Sequence, residues 1–285
     1  MQILAATDFS TRSNRALRQA GLLAQASNAG LALVHVVDDD QPEALVDMEK
    51  REAERILAEQ VSVMAELQGV KCRPTVVSGA PFAGILQTAA SMPADLIVMG
   101  SHRRQILRDI FVGTTIERVI RTGPFPVLMV NNEAQRRYEK VVAAVDMSEP
   151  SANALRIAKA AGLIGEVRAT LLHAFLPLAK GKMFVAGADV ASINEYVASE
   201  RLRAMDELIA FLVANDVNRE EWFLRVEEGR PLEVITQVTR ELHPDLLIMA
   251  THGRSGLLKA LIGSVTEEAL RSLDVDILAV PPLRS

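Results

Sequence analysis

Short apolar runs alternate along the chain with longer segments in which apolar residues recur every three or four positions. The runs at residues 3–7, 31–37, 75–78, 96–100 and 127–130 have the length of buried strands, and helical periodicity falls at 12–29, 43–67, 81–90 and 115–121. The order then starts again. Strands are predicted at 141–145, 170–175, 223–227, 245–251 and 277–280, and helices at 151–164, 191–213, 232–242 and 265–273. Continuous apolar strands separated by amphipathic helices predict parallel sheets covered on both faces, with right-handed crossovers. The fold class expected is α/β: two tandem doubly wound, Rossmann-like domains, each a five-stranded parallel sheet flanked by helices.

The two series are copies of one unit. Residues 3–37 laid on 141–175 agree at eleven of thirty-five positions, among them Asp8/Asp146, Ser10/Ser148, Leu17/Leu155 and His35/His173. Residues 84–130 laid on 234–280 agree at thirteen of forty-seven, including Asp95/Asp245, Met99/Met249, His102/His252, Gly113/Gly263 and Glu117/Glu267. The register slips by twelve residues between these blocks, which places an insertion after the second strand of the second copy. Residues 176–192 (LPLAKGKMFVAGADVAS) fill that place and read as a longer loop or a lid at the crevice rim. Two copies of this length are duplicated domains rather than a solenoid. The domains are expected at 1–132 and 141–285, joined by the polar linker 133–140.

Composition narrows the class. Hydrophobic residues make up 49% of the chain but aromatics only 4%, so the core must be aliphatic. A net charge of −5 offers no general basic surface, which argues against nucleic acid or a membrane as partner. The single cysteine, Cys72, excludes an internal disulfide and suits a reducing cytoplasm. The first apolar run already reads as a strand rather than a leader, and no run nears the ~18 apolar residues of a membrane span.

In doubly wound sheets the ligand crevice lies beyond the carboxyl ends of the strands, where their order reverses. Strand 1 of each copy ends at Thr7-Asp8 and Val145-Asp146, and strand 2 at His35-Val36 and His173-Ala174. After strand 4 come Gly100-Ser-His102-Arg103, nine residues and Gly113-Thr114, and then Met249-Ala250-Thr-His252-Gly253, nine residues and Gly263-Ser264-Val265. Glycines leave room for close approach and supply unusual φ angles. A helix start offers unpaired N–H groups and a positive dipole end. Together they suit a phosphate, although the spacing is neither a P-loop nor a dinucleotide loop.

Each feature also has a role without a ligand. Ser264–Glu267 and Thr114–Glu117 both fit a capping box. Asp8 and Asp146 can satisfy loop N–H groups. His35 and His173 fit hydrogen-bonded structural histidines, since no cluster with metal-ligand spacing accompanies them, whereas His102 and His252 stand beside the loops as donors to a phosphate. Arg103, Arg104 and Arg108 form either an anion site or solvated pairs with Asp109.

The motifs TDFS and VDMS, LVHVV and LLHAF, VVSGAP and VEEGRP, and the strand-4 loops together resemble the universal stress protein family over nearly the whole chain. Nucleotide-binding members of that family carry Gly, two residues, Gly, nine residues, then Gly-Ser or Gly-Thr. The resemblance implies a tandem stress-response protein that binds ATP or another adenine nucleotide, with or without Mg²⁺. In the second domain the implied contacts are Val145, Asp146, Ala174, Met249, Ala250, His252, Gly253, Gly263, Ser264 and Val265. In the first they are Thr7, Asp8, Val36, Gly100, His102, Arg103, Gly113 and Thr114, and they are weaker. Each loop departs from the pattern by one glycine: Arg103 fills phosphate space, while Ala250 adds one methyl at a strand end. The second domain is therefore the better nucleotide site.

Closing strands in this family meet across a dimer interface. The resemblance thus implies that 127–130 and 277–280 pair inside this chain as a pseudo-dimer, with room for a homodimer of chains. The sequence displays no paired carboxylates, no nucleophile with its base and no Walker-type magnesium set. A binding module is the leading expectation, with at most very slow ATP hydrolysis. A nucleotide-free scaffold for other proteins is the alternative, and an adenylyl-transferring enzyme is a third.

Overall fold

The computed structural model describes residues 1–101, 114–133, 136–164, 168–253 and 262–283. In the N-terminal half, β1 (Gln2–Ala6), α1 (Thr11–Ser27), β2 (Gly30–Val37), α2 (Glu43–Val63), β3 (Cys72–Ser78), α3 (Pro81–Ser91), β4 (Leu96–Gly100), α4 (Thr115–Thr122) and β5 (Val127–Val130) follow in order. The C-terminal half repeats them as β6 (Lys140–Ala144), α5 (Glu149–Ala160), β7 (Arg168–Phe175), then α6 (Lys180–Val185) and α7 (Val190–Ala214). It continues with β8 (Phe223–Glu228), α8 (Pro231–Leu242), β9 (Leu246–Ala250), α9 (Ser264–Ser272) and β10 (Asp276–Val280).

Strands within each half are parallel, and the full order is β3-β2-β1-β4-β5-β10-β9-β6-β7-β8. The strand order reverses at β1 and at β6, because chain-consecutive strands lie to one side and later ones to the other. At the centre β5 and β10 pair antiparallel, Met129 against Ile277 and Leu128 against Leu278, so the closing strands meet within the chain. These four side chains are fully buried. Strands covered on both faces by apolar side chains leave an edge that must be paired, and each half supplies the other's partner.

Alternation along each strand divides the core between two faces. Ile3 and Ala5 pack with Leu17 and Leu57 on one face, and Leu4 and Ile97 pack with Ile85 and Val119 on the other. Burial of such aliphatic side chains is worth about 1.5–3 kcal/mol each. Among the described residues, no helix is long and apolar enough to cross a membrane.

The linker is more than a tether. Asp276, at the start of β10 and 3% exposed, accepts hydrogen bonds from the backbone N–H of Asn131 (2.8 Å) and Asn132 (3.0 Å) and from the Tyr138 hydroxyl (2.7 Å). Tyr138 is itself buried, so this carboxylate clamps the linker to the seam.

Three segments differ from the sequence expectation. The helix predicted to run to residue 67 stops at Val63, because extended Met64 leads into a short turn of 3₁₀ helix that buries Leu67. Gln68 Nε2 compensates by donating to the carbonyls of Val61 (3.1 Å) and Ser62 (3.0 Å). The helix expected at 151–164 begins at Glu149, capped by Ser148, and ends at Ala160 ahead of Gly162 (φ 69°). The insertion, read as a loop or lid, contains a helix, α6, around which Leu178, Phe184 and Val185 stand exposed.

Candidate functional site

Each half opens a cavity at the carboxyl ends of its strands, at the point of order reversal. The cavities measure about 260 Å³ in the N-terminal half and about 290 Å³ in the C-terminal half. All ten second-domain positions named from the sequence line the larger one. Thr7, Asp8, Val36, Gly100 and Thr114 line the smaller. His102, Arg103 and Gly113 lie outside the described residues, as do Arg104, Arg108 and Asp109.

The turn after the first strand is built alike in both halves. Phe9 (φ 61°) and Met147 (φ 60°) reverse the chain with a left-handed residue. Asp8 Oδ1 accepts from the Ser10 N–H at 3.0 Å. Asp146 Oδ1 accepts from the Ser148 N–H at 3.1 Å and from the hydroxyls of Ser148 and Ser151 at 2.5 and 2.7 Å. Both carboxylates therefore serve the turn that launches the next helix. Burial alone would raise the Asp8 carboxyl. Hydrogen bonds from Ser10 and Ser13 and the Arg12 charge outweigh it and hold the group below its ordinary value. Nδ1 of His35 and of His173 each lie 2.9 Å from a backbone carbonyl, of Thr7 and Val145. A carbonyl only accepts, so both rings carry a proton on Nδ1 and tie strand 2 to strand 1.

The helix starts differ. Thr114 caps α4, its hydroxyl oxygen accepting from the Glu117 N–H at 3.2 Å. In the second half Gly263 occupies the cap position, Ser264 is already helical, and no side chain among the described residues caps α9. The capping box expected at Ser264 does not form. The Glu267 N–H that Ser264 would accept donates instead to the Gly263 carbonyl at 2.9 Å, and the Gly263 N–H donates to the Thr251 carbonyl oxygen at 2.7 Å. A Cβ on Gly263 would stand only 3.3 Å from that oxygen. Ser264 and Val265 thus line the cavity at the start of α9, where the helix's first amides have no side-chain cap among the described residues. Beside them His252 Nδ1 contacts the Thr251 hydroxyl at 2.9 Å, while its buried Nε2 has no partner among the described residues.

Glycine has a different role from the one expected. Gly100, Gly253 and Gly263 do not lie in the left-handed region, so they do not supply unusual φ angles. They permit close approach instead. A Cβ on Gly253 would overlap Asp146 Oδ2. One on Gly100 would stand 2.6 Å from the Arg12 carbonyl oxygen, which makes that glycine a contact between β4 and α1 rather than room for a phosphate. Positive φ belongs to Gly79 (135°) and Gly229 (144°) in the GAP and GRP turns, which launch α3 and α8 beside the cavities.

The residues missed from the sequence form the apolar wall and one charge. Ile85 and Ile235 sit in matching places, and their identity between the copies was an available signal. Arg12 lines the N-terminal cavity, but its repeat partner is Pro150, so no internal match could have marked it. Among the described residues, no group of three His, Cys, Asp or Glu side chains is placed to hold a metal ion. Burial on β3 pushes the Cys72 thiol up to about 11, away from the thiolate a nucleophile needs.

A sequence profile of the Universal stress protein family matches residues 1–131 and again residues 137–281. Universal stress protein E of Escherichia coli K12 and that of Salmonella typhi are each 25% identical over 207 residues, covering 71% of this chain and 65% of theirs. The match thus spans just under two thirds of those relatives' length. The crystal structure of a universal stress protein from Archaeoglobus fulgidus has the same fold, with a TM-score of 0.71, 19% identity and 98% of each chain covered.

Proposed function

We propose that this chain, which belongs to the universal stress protein family and carries two family domains in tandem, is a nucleotide-binding module whose second half takes ATP or another adenine nucleotide. The observation that carries this is the start of α9, uncapped among the described residues, with Ser264 and Val265 lining a cavity beside the His252 Nε2 that has no partner among them. Free helix-start amides and a buried ring nitrogen leave donor capacity that phosphate oxygens complement. Leu172, Ala174 and Ile235 supply the apolar wall on which a base would lie. Mg²⁺, if bound, would be held chiefly by the phosphates and water.

Binding rather than catalysis is the role proposed, with at most slow hydrolysis. The cavity's one described carboxylate, Asp146, is taken up by the N–H of Ser148 and the hydroxyls of Ser148 and Ser151, which hold it in the turn. A cytoplasmic setting goes with this reading. Thermal denaturation tests it: a ligand at a hundred times its dissociation constant should stabilise the fold by about 2.7 kcal/mol. No shift with millimolar ATP and Mg²⁺ would end the proposal. The exposed Leu178, Phe184 and Val185 favour a second reading, a nucleotide-free scaffold for protein partners. Mass spectrometry of small molecules released from freshly purified protein separates the two.

A further inference from the structure

The cavity of the N-terminal half carries a cation with no counterpart among the described residues that line the other. Arg12, in the first turn of α1, lines it, and the matching residue in α5 is Pro150. Arg12 is half-buried and, among the described residues, makes no hydrogen bond or ion pair. Its charge reaches the Asp8 carboxylate, which also lines the cavity.

Strand order shows what stands near this cation. β1 lies between β2 and β4. On the β2 side, Val34, Val36 and Ile85 form an apolar wall that suits a flat base. On the β4 side, Ser101 and Thr114 form a polar end at the start of α4 that suits a phosphate. A nucleotide spanning the two must lay its sugar over the end of β1, where Asp8 and Arg12 stand. A carboxylate accepts from a free ribose hydroxyl, whereas a neighbouring arginine accommodates a phosphate on that hydroxyl. The guanidinium fork suits such a dianion with two parallel hydrogen bonds.

We infer that the N-terminal cavity selects adenine nucleotides phosphorylated on the ribose 2′ or 3′ hydroxyl, with Arg12 as the specificity-determining residue. The second half, with Pro150 in that place, takes nucleotides whose ribose is free. This rests on the reading that the cavities bind nucleotides, and the experiment keeps the two apart.

The full chain is labelled at isoleucine methyl groups and titrated by NMR with 2′-AMP, 3′-AMP, 5′-AMP and ATP. Ile85 and Ile116 report the N-terminal cavity and Ile235 the C-terminal one. At Ile85 and Ile116, 2′-AMP or 3′-AMP is expected to bind at least tenfold tighter than 5′-AMP, about the effect of one charge-assisted hydrogen bond. Arg12→Ala should remove that preference and Arg12→Lys should keep part of it, while ATP still moves Ile235 in both. If 5′-AMP binds equally well at Ile85, or the preference survives Arg12→Ala while ATP moves Ile235, this inference is overturned and the nucleotide reading stands. If no nucleotide moves any isoleucine, both fail.

Discussion

The two cavities share a frame and differ at the rim. The frame repeats residue for residue. Asp95 accepts the Gln2 N–H that opens β1 (2.7 Å), and Asp245 accepts the Lys140 N–H that opens β6 (3.0 Å). His35 and His173 make the same 2.9 Å bond to the preceding strand. At the rim, Thr114 caps its helix where Gly263 leaves α9 uncapped, and Arg12 stands where the second half has Pro150. The difference teaches where duplication is constrained. Frame residues bond the backbone of neighbouring strands and so hold the sheet's register, whereas rim residues line a cavity and can drift independently.

Substitutions can break this comparison or sharpen it. Gly253→Arg, which gives the second half the residue found at position 103, must displace Asp146. It is expected to abolish ATP-dependent stabilisation by that half, the full ~2.7 kcal/mol at saturating ligand, read as loss of the thermal shift. Gly100→Ala drives a methyl into the α1 backbone and should cost roughly 1–3 kcal/mol in urea denaturation. Ala250→Gly, its mirror, should cost about 1 kcal/mol or less through backbone entropy. Equal costs would show that the two strand ends pack alike after all.

The seam has no counterpart within either half, since Pro126 stands where Asp276 does. Tyr138→Phe should cost about 1–2 kcal/mol by withdrawing a donor from a buried carboxylate. Acidity gives this group an identifiable signature. Burial raises the Asp276 carboxyl above 3.8 despite hydrogen bonds from Tyr138, Asn132 and Asn131. The folded state then holds the proton more tightly than the unfolded one, so the contribution is fully present below about pH 4 and is lost as pH rises through the folded value. Asp8 has the opposite sign: its contribution is present above about pH 4 and is lost as pH falls through its lowered value. Urea midpoints across this range should lose the first trend in Asp276→Asn and the second in Asp8→Asn. The smallest contrast is at the helix starts. Thr114→Ala should cost about 1 kcal/mol as a lost cap. Ser264→Ala should change stability by less than about 0.5 kcal/mol while weakening ATP binding by calorimetry.

Much of the frame was legible in the sequence, and the rim was legible only in part. Strand and helix periods placed the site at the carboxyl edge, and the Asp-x-Ser turns were visible as repeats. Gly100 looked like room for a phosphate, but its neighbour is Arg12, almost ninety residues earlier in the chain, and no local pattern encodes that contact. Ser264 matched a capping box letter for letter. The Glu267 N–H goes to the Gly263 carbonyl and not to the Ser264 hydroxyl, a competition between hydrogen bonds that the motif alone does not report.

Period and repetition were enough to state the elements, their order and the edge that would carry a ligand, because every copy must bury the same apolar faces to fold at all. Which helix start is left open, which carboxylate locks the linker and which arginine faces a cavity depend on contacts between residues far apart in the chain. Those contacts are resolved when ten strands close into one sheet, since geometry then chooses among hydrogen bonds that are each locally possible.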